Sequence, residues 1–395
     1  MRRRSSSVLI ALAFVAACGG EATPPTDPGD DIPGPLPAPT ELTVGGSFEL
    51  LGGYRLDVSY ASEGLGLVRD SAGFVVEAIS GAHAHEHAVH VFDLRQPPSP
   101  GADASGYAVL SPRRTWRVSQ LYPNWISGQS LRDVAVVPTA NGYELAGVGR
   151  VFYNTTPRPT TQINVREITN GGATLGATRV IPVNLPEQEF SGFIKHSDPR
   201  DDLSAIGAGA YDSGQGSVGG LSYAVRGSDG LWVRRLTPPG FGDLTTPRLP
   251  RDTAYSCPGG ASWVCIPPVG GVGVWSTERI GGGGVRIGNS LLFIATLGYG
   301  DRRYERQSYT FGDPALDRAV AYIFSQDSTG GATPTVRLAR YERWAYAKPG
   351  EIVLGVATGR VRNVAGAVLF VVTGNAWSAD GRSNASPMLQ LFRIK

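Results

Sequence analysis

Four of the five histidines fall within eight residues, in the run Ala82-His83-Ala84-His85-Glu86-His87-Ala88-Val89-His90. On extended backbone His83, His85 and His87 point to one side and Glu86 to the other. Three imidazoles along one edge form a ligand set for Zn²⁺ or another divalent cation, with a coordination position left open. Alternate side chains on a strand stand about 7 Å apart, so a shared ion requires a bend in the segment. A solvated surface loop is the competing reading. A divalent metal is the one cofactor these residue types suggest.

A second set combines aromatic and guanidinium groups: Arg150, Tyr153, Tyr211, Tyr299, Arg302, Arg303, Tyr304 and Trp377. Aromatic faces stack on the C–H faces of sugars, and Arg hydrogen-bonds hydroxyls or carboxylates. The third set is Glu63, Glu189 and Glu278, residue types that can serve as general acid, general base and the group that tunes them. A different chemistry, proton abstraction from a uronate, would use His85 or His87 with Tyr304, and Arg302 or Arg303 to neutralise the carboxylate. No G-x-S-x-G elbow, phosphate loop, H-E-x-x-H or EF-hand loop occurs.

The elements that must position these groups come from a repeat. Five segments share a short apolar strand, a tight turn, a second apolar strand, a longer polar loop and a third strand. They run 64–68, 74–79 and 89–94; 134–137, 143–148 and 162–168; 190–195, 203–208 and 221–226; 285–287, 291–297 and 319–325; 360–362, 367–373 and 388–394. A fourth strand follows the first four: 107–110 with 116–118, 178–183, 231–236 and 336–341. Four antiparallel strands repeated five times predict an all-β fold, a β-propeller of five four-stranded blades. The fifth unit lacks its fourth strand. Segments 42–44 and 47–51 are expected to supply it and close the ring, which would remove free sheet edges. The loops between second and third strands are long, and they hold most of the residues named above. Function is expected on that face.

The composition agrees. There are 53 Gly and 29 Pro in 395 residues, too many for a helical bundle and suited to tight turns. Formal net charge is +2, too balanced for a nucleic-acid partner read from charge alone. Of 36 basic residues only Lys195, Lys348 and Lys395 are lysine. No apolar run reaches the length of a membrane span.

Met1-Arg2-Arg3-Arg4 followed by the apolar stretch 8–17 reads as an export signal. Val15-Ala16-Ala17-Cys18-Gly19 resembles the lipobox of bacterial lipoproteins. That resemblance implies a signal peptide over 1–17, lipidation of Cys18, and a lipid-anchored place in the bacterial cell envelope, at the outer membrane or cell surface. Residues 18–40 then form a Pro-rich tether, and 41–395 the propeller domain. Cys257 and Cys265, in Cys-Pro-Gly-Gly-Ala-Ser-Trp-Val-Cys, are expected to form a local disulfide in an oxidising compartment. The five-bladed expectation is similar in architecture to propeller glycosidase families, which place carboxylates at the tops of the inner strands. Those families usually begin the first blade with Asp, where this chain has Glu63. The expectation is an exported protein that binds a carbohydrate, with cleavage as an extension. The other class is a non-catalytic envelope scaffold that holds proteins. Its partners would be a carbohydrate or an envelope protein, with the membrane reached through the lipid alone.

Overall fold

Among the described residues, alternating β-branched and aromatic residues, punctuated by glycine turns, produce mostly strands. The computed structural model describes residues 42–58, 63–81, 88–126, 129–151, 162–183, 190–196, 205–208, 221–226, 229–234, 268–269, 272–273, 283–297, 318–326, 336–348, 351–377 and 386–395. A four-residue helix α1 (Val44–Ser47) leads into β1 (Phe48–Leu56), β2 (Glu63–Arg69), β3 (Val75–Gly81), β4 (Ala88–Asp93), β5 (Ala108–Leu110) and β6 (Arg114–Arg117). A second short helix, α2 (Val118–Leu121), precedes β7 (Gln129–Thr139), β8 (Gly142–Val151), β9 (Gln162–Thr169) and β10 (Thr174–Pro182). Next come β11 (Phe190–His196), β12 (Ala205–Ala208), β13 (Leu221–Arg226), β14 (Trp232–Arg234), β15 (Pro268–Val269) and β16 (Val272–Gly273). The last are β17 (Gly284–Ile287), β18 (Ser290–Leu297), β19 (Arg318–Gln326), β20 (Val336–Arg343), β21 (Ile352–Gly359), β22 (Val368–Trp377) and β23 (Ser386–Ile394).

Hydrogen bonding groups these strands as β2-β3-β4-β6, β10-β9-β8-β7, β21-β22-β23-β1-β5, and an eight-stranded sheet β14-β13-β12-β11-β17-β18-β19-β20. The ribbon β15-β16 stands apart. The expectation of five separate blades is therefore corrected: the described strands form four sheets of four or more strands. The physical reason is a parallel pairing of β11 with β17, Ile194 opposite Gly284 through His196 opposite Arg286, which joins the third and fourth repeats into one sheet. Glycines permit that approach, because a Cβ on Gly283 would collide with the Phe193 carbonyl. The inner strands touch in a circuit, β2 to β7, β7 to β11, β11 to β17, β17 to β21 and β21 back to β2. The result is an all-β, propeller-like ring of sheets.

The apolar cores lie between successive sheets. Leu65, Leu67, Phe92, Leu354, Phe370 and Leu391 join the first repeat to the last. Ile79, Val91, Trp116, Val134, Leu145 and Ile168 join the first to the second. Val148, Ile163, Val165 and Phe193 continue to β11. Val285, Leu292, Ile323, Trp344, Val353, Val371 and Phe392 join the fourth to the last. Each sheet thus buries both faces, and burial of each large side chain contributes about 1.5–3 kcal/mol.

The N-terminal strand pairs with the C-terminal one. β1 lies antiparallel to β23, Phe48 opposite Ile394 through Arg55 opposite Met388, with a shift between Leu50 and Gly52. Residues 42–44 are not the strand expected there. Val44–Ser47 is a single helical turn whose Thr43 side chain accepts from Gly46 N. Segment 107–110 also departs from expectation. It does not edge the first repeat but adds to β1 in parallel, Tyr54 opposite Ala108, and β6 alone pairs with β4. In the last repeat the inner strand is Ile352–Gly359, not 360–362. Asn363 at φ 61° and Gly366 at φ 82° turn the chain there instead.

Candidate functional site

Strand direction sorts the ends of the ring. In each repeat the first strand starts, the second ends and the third starts at one end, which is where the long connections 82–87, 152–161, 209–220, 298–317 and 378–385 attach. At the other end lie tight turns such as Arg69 to Val75, Thr139 to Gly142 and Ile287 to Ser290. Topology alone therefore gathers the long connections at one end.

Three of the expected site residues have described backbones there. Glu63 opens β2 opposite Gly81. Arg150 lies near the end of β8 opposite Ser130. Trp377 ends β22 opposite Ser386. Glu189 and Glu278, Tyr153, Tyr211, Tyr299, Arg302, Arg303 and Tyr304, the histidines His83, His85 and His87, and the cysteines Cys18, Cys257 and Cys265 lie outside the described residues. Among the described residues no group of three or more His, Cys, Asp or Glu is placed to hold a metal ion.

Trp125 and Arg132, which flank the start of β7, are structural. Trp125 stacks on Tyr122 at 5.5 Å between centroids and donates from Nε1 to the Gln129 carbonyl. Arg132 is not in a connection but inside β7, 4% exposed. His90, outside the metal expectation, is buried on β4 with Nδ1 3.0 Å from Thr115 Oγ1.

The inner strands converge on an ion pair that sequence reasoning missed. Asp133 on β7 is fully buried, and Lys195 on β11 is 3% exposed. Lys195 Nζ donates to Asp133 Oδ1 at 2.6 Å and to Oδ2 at 2.5 Å. Leu65 N of β2 donates to Oδ1 at 3.1 Å and Phe193 N of β11 to Oδ2 at 2.8 Å. Burial pushes the Asp133 carboxyl up from its ordinary range, and it outweighs the downward pull of the Lys195 ammonium and the two amides. Two glycines with positive φ make room for the carboxylate. Gly64 (φ +77°) would place a Cβ 2.5 Å from Asp133 Cα, and Gly283 (φ +79°) would place one 2.6 Å from Asp133 Oδ2. The signal was available: Lys195 is one of three lysines, and Arg132-Asp133 is a charged dipeptide abutting the apolar run Val134-Ala135-Val136-Val137.

Gly64→Ala is accordingly expected to destabilise the chain by about 2–4 kcal/mol, since it combines a positive φ with a backbone collision. A melting temperature that stays within a degree of wild type would contradict this packing.

Toward the tight-turn end a second side chain crosses the ring. Arg69 Nη2, from the end of β2, donates to the His196 carbonyl of β11 at 3.1 Å and the Thr358 carbonyl of β21 at 3.0 Å. The strands β2 and β11 are not neighbours in the circuit, so Arg69 spans the axis. Among the described residues, the middle and the tight-turn end of the ring thus hold charged side chains.

No family model and no curated protein matches the chain. Solved structures similar to it include an exo-β-1,3-galactanase from Clostridium thermocellum, at 7% identity and TM-score 0.45, covering 87% of this chain and 62% of that one. A GH43_1 enzyme from Xanthomonas citri matches at 9% identity and TM-score 0.41, covering 86% of this chain and 90% of that one. A luciferin-regenerating enzyme matches at 11% identity and TM-score 0.37, covering 85% and 92%. The chain spans less than two thirds of the galactanase.

Proposed function

We propose that the protein binds a carbohydrate at the long-connection end of the ring and that Glu63, Glu189 and Glu278 are the groups that would cleave it. The observation that carries the reading is the shared end: Glu63, Arg150 and Trp377 all lie where the first strands begin and the long connections leave. A carboxylate, a guanidinium and an indole are the residue types that hold a polyhydroxylated ligand. Asp133 does not join the proposed catalytic groups, because its carboxylate is fully buried and already accepts four hydrogen bonds.

The test is a screen of the purified chain against diverse polysaccharides, scored separately for binding and for release of sugar. Trp377→Ala is expected to weaken binding about threefold to tenfold, the value of one aromatic stacking contact. Glu63→Gln is expected to abolish cleavage and leave binding within a few fold. If no polysaccharide is bound or cleaved, the reading is wrong, and the envelope-scaffold alternative takes its place.

Anchoring belongs to the same proposal. The sequence Val15-Ala16-Ala17-Cys18-Gly19 supports lipidation of Cys18 and tethering through the Pro-rich segment. Cys18→Ala is expected to move the protein from the detergent phase to the aqueous phase in a partitioning assay. Equal partitioning of mutant and wild type would remove the anchor from the proposal.

A further inference from the structure

The apolar seam between the first two repeats turns polar at its tight-turn end. Glu77 lies on β3 two residues before Ile79, and Arg114 on β6 stands opposite Val91. Tyr143 on β8 and Arg166 on β9, opposite Leu145, come from the second sheet. Ile79, Val91, Tyr143 and Leu145 share one core cluster, so strand alternation turns all four polar side chains into that seam. Tyr143 and Arg166 are diagonal neighbours across β8 and β9, about 7 Å apart.

Three buried donors converge there. Tyr143 is 4% exposed. Its Oη, Arg114 Nη1 and Arg166 Nε have no hydrogen-bond partner among the described residues. The Arg114 guanidinium lies 5.4 Å from the centre of the Trp116 ring. The turn Asn170–Gly172 closes on its Nη1, with which a Cβ on Gly172 would collide. The carboxylates at hand already have arginines of their own. Glu77 accepts from Arg113 Nη1 at 2.8 Å, and Asp93, opposite Glu77, pairs with Arg95 at 2.7 Å. Burial pushes the Tyr143 phenol up, Glu77 adds to that and Arg114 opposes it, so both charges act on a hydroxyl that stays protonated and donates.

We propose that this seam is a binding site for a tetrahedral oxyanion, a phosphate or sulfate group, held by Arg114, Arg166 and Tyr143. A buried donor without an acceptor is costly, and native proteins meet such donors with water or a ligand. Water would leave the charges of Arg114 and Arg166 uncompensated. An oxyanion accepts on every oxygen and supplies the opposing charge, and guanidinium groups hold such anions through paired N–H donors. Oxygens pointing in four directions suit donors from two walls, whereas a planar carboxylate offers two. Arg114 is half-buried on the outermost strand of its sheet, so the seam opens to solvent there. The site lies at the tight-turn end, so it goes beyond the carbohydrate reading and its test needs no polysaccharide.

The experiment is a calorimetric titration of the full chain, at neutral pH and constant ionic strength, with inorganic phosphate, sulfate, phenyl phosphate and acetate. At least one of phosphate and sulfate is expected to bind saturably at one site, with acetate at least about tenfold weaker. Phenyl phosphate separates the sources. Binding as tight as the inorganic ion marks a site for the end group of a larger molecule, exclusion marks a site for the free ion, and either keeps the oxyanion assignment. Tyr143→Phe is expected to weaken binding about tenfold, and Arg114→Gln and Arg166→Gln at least as much. Arg179→Gln removes a cation of the same sheet that pairs with Glu144 instead, and is expected to bind like wild type. In anion-free buffer Tyr143→Phe is expected to melt at or above wild type, since the hydroxyl it removes has no partner. Added phosphate or sulfate should then raise the melting temperature of wild type more than that of the variant. If the arginine variants do not fold, Tyr143→Phe carries the reading alone. Absence of saturable binding by both anions overturns the proposal. So does acetate binding as tightly, an equal loss in Arg179→Gln, or a Tyr143→Phe variant that binds like wild type.

Discussion

Removal of residues 42–56 is expected to leave no cooperatively folded ring. The segment buries Leu42, Val44, Phe48, Tyr54 and Leu56 to 3% exposure or less. At about 1.5–3 kcal/mol for each large side chain, the loss is about 10 kcal/mol, an upper bound if the unfolded chain is partly compact. That is of the size of a whole domain's stability, about 5–15 kcal/mol. The deletion also strips β23 of one of its two partners, from Met388 to Ile394, and leaves an open edge. Calorimetry and near-ultraviolet circular dichroism would check this. A truncated chain that melts cooperatively within a few degrees of the full chain would mean that the ring does not depend on β1. Phe48→Ala in the full chain tests the same contact more gently. Phe48 packs edge-on against Trp344 at 5.5 Å, and about 3–5 kcal/mol should be lost.

Lys195→Met should cost about 3–5 kcal/mol at neutral pH, because the Asp133 carboxylate then stays buried without a cation. The pH dependence identifies the cause. Burial already raises the Asp133 carboxyl in the folded chain, and removing Lys195 removes part of what opposes it. A carboxyl raised above its unfolded value contributes its full stability below about pH 3.9, and loses it as pH rises through the folded value. The deficit of Lys195→Met relative to wild type should therefore be small near pH 4 and grow toward pH 8. Asp133→Asn leaves the ammonium unpaired instead, and its deficit should shrink as pH rises, since a buried amine is relieved by losing its proton. Melting temperatures of the three proteins across pH 4 to 9 would show the two opposite slopes. A flat deficit in Lys195→Met would mean that Asp133 is not the group left stranded.

Most of the strands were legible because their chemistry is local. Val75–Gly81, Val368–Trp377 and Ser290–Leu297 are apolar runs bounded by glycine, and their place as second strands follows from the tight turn before each. Pairings between repeats were less so. Nothing within residues 190–196 or 284–287 says that two inner strands will pair in parallel, since that bond depends on glycines brought together from 192 and 283. Segment 107–110 was assigned to the nearest repeat, yet it crosses to β1, a contact that local pattern does not encode. At the candidate end, Glu63 was expected from its place before an apolar strand, and its backbone opens β2 there. Asp133 was missed because an acidic residue ahead of Val134 reads as the end of a loop, and its partner lies 62 residues away. Burial of charge becomes visible only when the partner's strand is in place.

The pairing of β1 with β23 also decides from which end the chain enters and leaves the ring. β23 runs away from the long connections, so Ile394 lies with the tight turns, and Phe48 lies opposite it. Lys395 N donates to the Ser47 carbonyl at 2.9 Å, which fastens the two ends of the described domain side by side. A group fixed rigidly beside Phe48 or Ile394 would then sit at the tight-turn end, across the ring from the rim where the backbones of Glu63, Arg150 and Trp377 lie.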